Sequence, residues 1–542
     1  GAYFSVQSNK EITNDLIKRL GYFPILKFII KDSSTEIPQD ISQSDCYDYP
    51  AQKAIQDEYK KDFENIEKNK ELAQEQKKNA KKALNEKKKT EFGQKVDPQF
   101  DVYREIKKNP YASFTKLFGN FHQNQEQFHE ILGEILSYYS QGSIKKRSFK
   151  LIDENPTAQQ LFNPSQGKGL NKTKANNASM GNLKSNWISE TMKISGALSI
   201  MTAQYIKVGT SYDLKIYVPE FNNTSVTKGK ELLTEFKRHL KSTSPIKLDI
   251  FNILDLIVKF IQCTPQYNKG KVRNTIRGFH SVYQKDLGQN WAVANISFIN
   301  TPDFVEYRTK EEGKEWIAIL ESQKESISGI EELGDAIKGL QAYREFLGST
   351  GHSALESFSK FSHWYAGYLM QALDREKYYV KPFKEETLTK FYAYMEPNLK
   401  EIINNEGFKA VANAIRKSTV SLQYTPKGQR KFEIRYGLSQ QLQNKSKSKE
   451  DLATFIGDFA TTYNAETGRY VEKIKSKSKD EETNVIPRAN IKDAELDKFY
   501  ELLNENPPRL IGALLASYGF ALTAKEAPDK PESETQILKT NN

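Results

Sequence analysis

Cys46 and Cys263 are the only cysteines in 542 residues, which excludes a disulfide framework and a cysteine-built zinc site and leaves the fold to its own apolar core. Histidine is nearly as scarce, with only His122, His129, His239, His280, His352 and His363. None is followed by aspartate, so the His-Asp metal pair of many phosphohydrolases is missing, and neither a His-Glu-x-x-His pattern nor a Cys/His cluster occurs. His122 and His129, seven positions apart on an apolar stretch, read as helix-face residues with local partners. Gly167-Lys168-Gly169 lacks both the Ser/Thr after lysine and the upstream glycine of a phosphate-binding P-loop. No Gly-x-Ser-x-Gly elbow or Gly-Gly-Asp-Asp motif is present. No run of eighteen apolar residues exists and no signal-peptide pattern opens the chain, so the expectation is a cytoplasmic protein with no membrane partner. The opening Gly-Ala-Tyr-Phe, without methionine, suggests that the natural start lies upstream. Together these absences predict a non-enzyme with no metal and no cofactor.

What the chain has is positive charge: 80 Lys and Arg against 69 Asp and Glu, a formal net charge of +11 and a pI near 9.0. That balance favours a polyanionic partner. The stretch Asn163 to Lys184 (NPSQGKGLNKTKANNASMGNLK) holds four lysines, five asparagines, three glycines and no acid. Lysines suit phosphates, asparagine amides suit base edges, and glycines let backbone approach a ligand. It reads as a nucleic-acid loop or as a solvated connector. Further basic clusters are Lys145, Lys146, Arg147 and Lys150 around Phe149; Lys269, Lys271, Arg273 and Arg277; Arg416, Lys417, Lys427, Arg430, Lys431 and Arg435 around Tyr424 and Phe432; and Lys473, Lys475, Lys477 and Lys479. If six to ten of these met phosphates together, affinity would fall by about 10³ to 10⁵ between low and moderate salt. The segment Lys60 to Lys95, with Lys77, Lys78, Lys81, Lys82, Lys87, Lys88 and Lys89, would be polar all round as a helix and reads as an exposed or partly disordered arm.

Apolar spacing predicts a fold that is mainly α with a minor β component, an α+β N-terminal body followed by a C-terminal α-helical bundle. Strands are expected at Ile25 to Ile30, Tyr212 to Val218, Ala292 to Ile299 and Lys431 to Tyr436. Helices are expected at Phe114 to Tyr139, Trp187 to Ile206 and Ile250 to Ile261, and then in succession at Ile330 to Phe346, His352 to Leu373, Glu385 to Asn404, Phe408 to Thr419, Glu450 to Tyr463, Ala494 to Leu503 and Pro508 to Tyr518. Leu355, Phe358, Phe361, Tyr365, Tyr368, Leu369 and Ala372 form one core stripe. Ser448 reads as an N-cap, and Pro507-Pro508 as a helix start. The boundaries that follow are a body over 1–325, with the lysine-rich insert at about 57–95 and the basic loop at 163–186, a bundle over 326–524 and a disordered tail over 525–542.

Leu183 to Phe221 (LKSNWISETMKISGALSIMTAQYIKVGTSYDLKIYVPEF), Tyr111 to Tyr139, Cys46 to Lys53 and the helical C-terminal third together resemble the large subunit of a type I CRISPR Cascade complex. The resemblance implies a non-catalytic subunit that recognises the short DNA motif flanking the target (the PAM), helps open the duplex and stabilise the R-loop, and recruits a helicase-nuclease, while guide pairing reads the sequence. The implied partners are crRNA, double-stranded target DNA, its displaced single strand, and the backbone, crRNA-handle-binding and small subunits. On this view Lys168, Lys172, Lys174 and Lys184 meet phosphates and Asn171, Asn176, Asn177 and Asn182 read the motif. Lys145, Lys146, Arg147, Lys269, Lys271, Arg273 and Arg277 track the backbone, and Arg416, Lys417, Lys427, Arg430, Lys431 and Arg435 line a groove for the displaced strand. A free copy of the bundle made by internal translation has no good start, since Met370 and Met395 both fall within predicted helices. The competing readings are an α-helical scaffold with incidental basic surface and a polymerase-like CRISPR large subunit stripped of its nuclease motifs.

Overall fold

The computed structural model describes residues 13, 15, 26–69, 71–87, 95, 97, 99–108, 111–141, 153–154, 185–209, 211–239, 244–263, 270–287, 291–476 and 488–523. The fold is mainly α with a small β part. Two compact units emerge, one of residues 1–243 with 279–298, the other of 244–278 with 299–542. Among the described residues no helix is long and apolar enough to cross a membrane.

In the first unit, β1 (Phe28–Ile30) pairs in parallel with β2 (Cys46–Asp48). Asp48 then caps α1 (Tyr49–Lys68) by accepting from the Ala51 N–H. The described part of the lysine-rich segment, expected as an exposed or partly disordered arm, is the end of α1 with α2 (Gln74–Lys87), both helical. Its charges settle on each other, since Lys68 pairs with Glu64 at 2.9 Å and Lys81 with Glu67. Helices α3 (Phe100–Lys108), α4 (Tyr111–Gln123), α5 (Gln125–Gln141) and α6 (Trp187–Ile200) build the core, in which Phe28, Tyr103, Phe118, Phe121, Phe128 and Trp187 are buried. The single helix expected from Phe114 to Tyr139 is two, parted at Asn124. In the last turn of α4, His122 Nε2 donates to the distant Asp40 carboxylate at 2.9 Å and its Nδ1 accepts from the Gln125 side-chain amide at 3.1 Å.

Most of a four-stranded sheet belongs to this unit, in the order β3 (Thr202–Val208), β4 (Ser211–Phe221), β5 (Ile276–Asp286) and β6 (Trp291–Asn300). The helix expected through Ile206 stops at Ile200, because Thr202 to Val208 finds a partner in the strand that follows it: Thr202 lies opposite Tyr217 and Val208 opposite Ser211. Gly209, at φ +60°, turns the chain between them. One face of this hairpin sends Ala203, Tyr205, Leu214 and Ile216 into the core. The other buries Asp213, which accepts from the Tyr283 hydroxyl and, at 3.1 Å, from the Asp286 N–H. Helix α7 (Val226–His239) lays Phe236 against Phe279, with ring centroids 5.7 Å apart.

The second unit begins earlier than residue 326. Helix α8 (Pro245–Cys263) buries eleven of its side chains and packs with α9 (Lys310–Ser328) and α10 (Ala336–Gly348), so the expected boundary would have cut α9 in two. Burying Trp316, Ile319, Leu320 and Ile327 of α9 requires the neighbours on both sides of that line. Then come α11 (His352–Asp374), α12 (Glu385–Met395), α13 (Leu399–Asn404), α14 (Glu406–Ser418), α15 (Val420–Tyr424), α16 (Leu438–Lys445), α17 (Lys449–Lys475), α18 (Asp493–Glu505) and α19 (Pro508–Gly519). The helix expected over Glu385 to Asn404 breaks at Pro397, which cannot supply an interior N–H. Ser448 does cap α17, its hydroxyl accepting from the Asp451 N–H at 3.1 Å, and Pro508 opens α19. Of the predicted stripe, Leu355, Phe358, Phe361, Tyr365, Leu369 and Ala372 are buried, and Tyr368 is half-buried.

Helices α14 and α18 touch through Gly407, where an added Cβ would stand 2.3 Å from the Glu495 carbonyl oxygen and 2.4 Å from the Phe499 nitrogen. Both are backbone atoms, so relief requires the helices to part. Gly407→Ala is therefore expected to cost about 2 to 3 kcal/mol, read as a lowered denaturation midpoint; an unchanged midpoint would refute this contact.

Candidate nucleic-acid interface

The predicted DNA-motif residues Lys168, Asn171, Lys172, Lys174, Asn176, Asn177, Asn182 and Lys184, together with Lys145, Lys146, Arg147, Lys150, Lys269, Lys477 and Lys479, lie outside the described residues. Of the backbone-tracking set in the second unit, Lys271 pairs with Asp303 at 2.9 Å and Arg273 donates to the Asn300 side-chain oxygen at 3.1 Å. The two contacts tie residues 270–274 to the end of β6 and to the residues that follow it. Arg277 is exposed.

The displaced-strand set is divided by the fold. Arg416 does not face solvent: it is 4% exposed, and its Nη2 donates to the Tyr518 carbonyl at 2.9 Å and meets Glu385 Oε2 at 2.5 Å. It sits in the last turn of α14 on the buried side, where a charge survives only with partners. Its neighbour Lys417 is half-buried. Arg435 is also engaged, with Glu466 Oε1 2.7 Å from its Nη2. The second oxygen of Glu466 takes Arg488 at 2.7 Å, and the Arg488 guanidinium lies 3.7 Å from the Phe432 ring centroid and 3.8 Å from that of Tyr463. Residues 431–436 therefore form no strand. In place of a strand, the irregular segment turns Phe432 and Arg435 to rings and carboxylate on α17 and to Arg488, with the Arg435 N–H bonded to the Ser418 carbonyl.

Lys427 and Lys431 remain exposed and Arg430 is half-buried, and the fold sets tyrosines beside them. The α11–α12 connection supplies Tyr378, 40% exposed, whose ring centroid lies 5.9 Å from that of Tyr424 at the end of α15. Tyr436 is 45% exposed, and burial followed by the nearby Asp374 raises its phenol above the ordinary value. Burial, with Tyr378 adding to it, pushes the Tyr424 phenol up to about 12. Arg430 is fixed among these groups, its Nε donating to the Thr425 carbonyl at 3.0 Å. Lys427 reaches Glu376 at 2.9 Å, and that hydrogen bond lowers the carboxyl and raises the amine. Lys431 stands over the Tyr470 ring at 5.6 Å. Tyr378 and Tyr470 escaped the sequence reading because they are 92 residues apart in the chain, and only folding brings each beside residues 424–432.

Among the described residues no group of three or more His, Cys, Asp or Glu is placed to hold a metal ion. Charge is unevenly shared between the units: the first carries 39 Lys and Arg against 30 Asp and Glu, the second 41 against 39. The chain matches no known protein-family model and no curated protein.

Proposed function

We propose that this chain is the non-catalytic nucleic-acid-binding large subunit of a type I CRISPR Cascade complex, acting in the cytoplasm with crRNA, the target duplex, its displaced strand and the other Cascade subunits. What supports this reading is the resemblance carried by Leu183 to Phe221 and the C-terminal helices. The observation that carries it furthest is the surface of exposed tyrosines interleaved with Lys427, Arg430 and Lys431 on the helical unit. The positive excess of the first unit suits duplex phosphates, and Asn163 to Lys184 is the segment whose chemistry fits reading of the flanking motif. The helicase-nuclease that cuts the target is recruited in trans.

Expression together with the neighbouring genes tests this directly, since a guide RNA and a repeated backbone subunit should copurify with the chain. Lys172→Ala, Lys174→Ala, Asn176→Ala and Asn177→Ala combined should then abolish motif-dependent duplex binding while assembly survives. Retained discrimination would remove the loop assignment, and purification free of RNA would remove the family assignment. The near balance of charge in the second unit, with Arg416, Lys427 and Arg435 all paired to carboxylates, favours one other reading, an α-helical scaffold. A scaffold would bind DNA with the same weak affinity whatever sequence flanks the target.

A further inference from the structure

We infer that Tyr378, Tyr424 and Tyr436, with Arg430 between them and Lys431 beside Tyr470, form a stacking platform that grips single-stranded nucleic acid mainly through its bases and only secondarily through its phosphates. The inference rests on the functional reading above and gives its displaced-strand site a binding mode.

Tyr378 and Tyr436 leave two-fifths or more of their surfaces in water, in a unit that buries Tyr343, Tyr365, Tyr392, Tyr463 and Tyr518 almost completely. Apolar surface kept wet forgoes about 25 cal/mol per Å², so two large rings on one face of a well-packed bundle signal a use outside the core. The rings are not scattered: Tyr378 and Tyr424 are ring neighbours, and Arg430 lies near enough to both Glu376 and Tyr436 to bias their ionisation. The Tyr424 hydroxyl is enclosed and has no hydrogen-bond partner, so its ring is positioned by packing and not by its polar end.

Charge then selects among ligands. A duplex hides its base faces in its own stack, whereas a single strand offers them, and aromatic platforms hold such bases at about 1 to 3 kcal/mol each. Cations beside the rings, exposed Lys427 and Lys431 and half-buried Arg430, favour a phosphate-bearing strand over a neutral peptide. They are few, however, and Lys427 already has Glu376. With about three phosphate contacts and a slope near −0.7 per contact for single strands, affinity at this site falls only about 20-fold from 50 to 200 mM salt. Binding through the basic segments of the first unit would be far steeper.

The experiment uses the full chain and a fluorescent 20-nucleotide single strand carrying 5-iododeoxyuridine, at 50 and 200 mM salt. Photocrosslinks should map to peptides containing Tyr378, Tyr424 or Tyr436. Tyr378→Ala and Tyr436→Ala should each weaken binding at 200 mM about tenfold, Tyr378→Phe and Tyr436→Phe should retain it, and Lys431→Ala should reduce the salt slope by about 0.7. Crosslinks confined to other segments, or alanine variants that bind like the parent, would overturn the platform while leaving the nucleic-acid function standing. Absence of any oligonucleotide binding by the parent chain would overturn both. A proline-rich peptide that binds the parent and not the alanine variants, in place of the oligonucleotide, would reassign the surface to a peptide groove.

Discussion

Arg416→Ala is expected to lower the stability of the second unit by about 3 kcal/mol, the lower end of the cost of breaking a buried ion pair because Glu385 still reaches solvent. Three helices meet at this guanidinium: α14 bears it, α19 offers the Tyr518 carbonyl, and α12 begins with Glu385. Removing it leaves a carboxylate against the packed end of α19 and a carbonyl without its donor. Arg416→Met, which fills the space without stranding a charge on its own side, should lose less. Single-strand binding, measured where both variants remain folded, should stay within about twofold of the parent, because the group never reaches the surface. Thermal melts and anisotropy on the same samples check both halves, and a parent-like melt with weakened binding would return Arg416 to the interface.

Glu466→Ala should have a comparable effect by a different route. One carboxylate serves Arg435 and Arg488, and Arg488 is 5% exposed at its side chain, pressed between Phe432 and Tyr463. Without the anion, two guanidiniums repel across a nearly dry site, at a cost of about 2 to 4 kcal/mol after allowance for the partial exposure of Glu466. The consequence extends to function, because Arg435 and Phe432 moor the segment that presents Arg430, Lys431 and Tyr436. Trypsin, with Lys427, Arg430, Lys431 and Arg435 as its sites, should cut this segment faster in Glu466→Ala than in the parent, and Glu466→Gln, which keeps an acceptor, should be intermediate. Equal cleavage rates in all three would show that the segment is held by something else.

Much of the secondary structure was legible because it depends on near neighbours. The Ser448 cap, the Pro508 start and the apolar stripe of α11 are local patterns, and the hairpin strand at Ser211–Phe221 carries its β-branched alternation openly. The errors share one cause. Thr202 to Val208 reads equally well as the end of a helix, and only the strand after Gly209 draws it into a sheet. Residues 431–436 alternate like a strand but meet no strand edge, so their inward side chains found rings and a carboxylate instead. Glycine 407 looked like any helical glycine until α18 lay against it.

The sequence by itself determined the helical class, the scarcity of metal-ligating chemistry and the surplus of positive charge, since these follow from composition and spacing. Only the tertiary structure decided which cations are available: it buried Arg416, committed Arg435 to Glu466, and placed Tyr378 and Tyr436 among Lys427, Arg430 and Lys431. The reason is physical, because a charge is free or spent according to what folding brings within a few ångströms of it, and those partners lie up to about a hundred residues away along the chain.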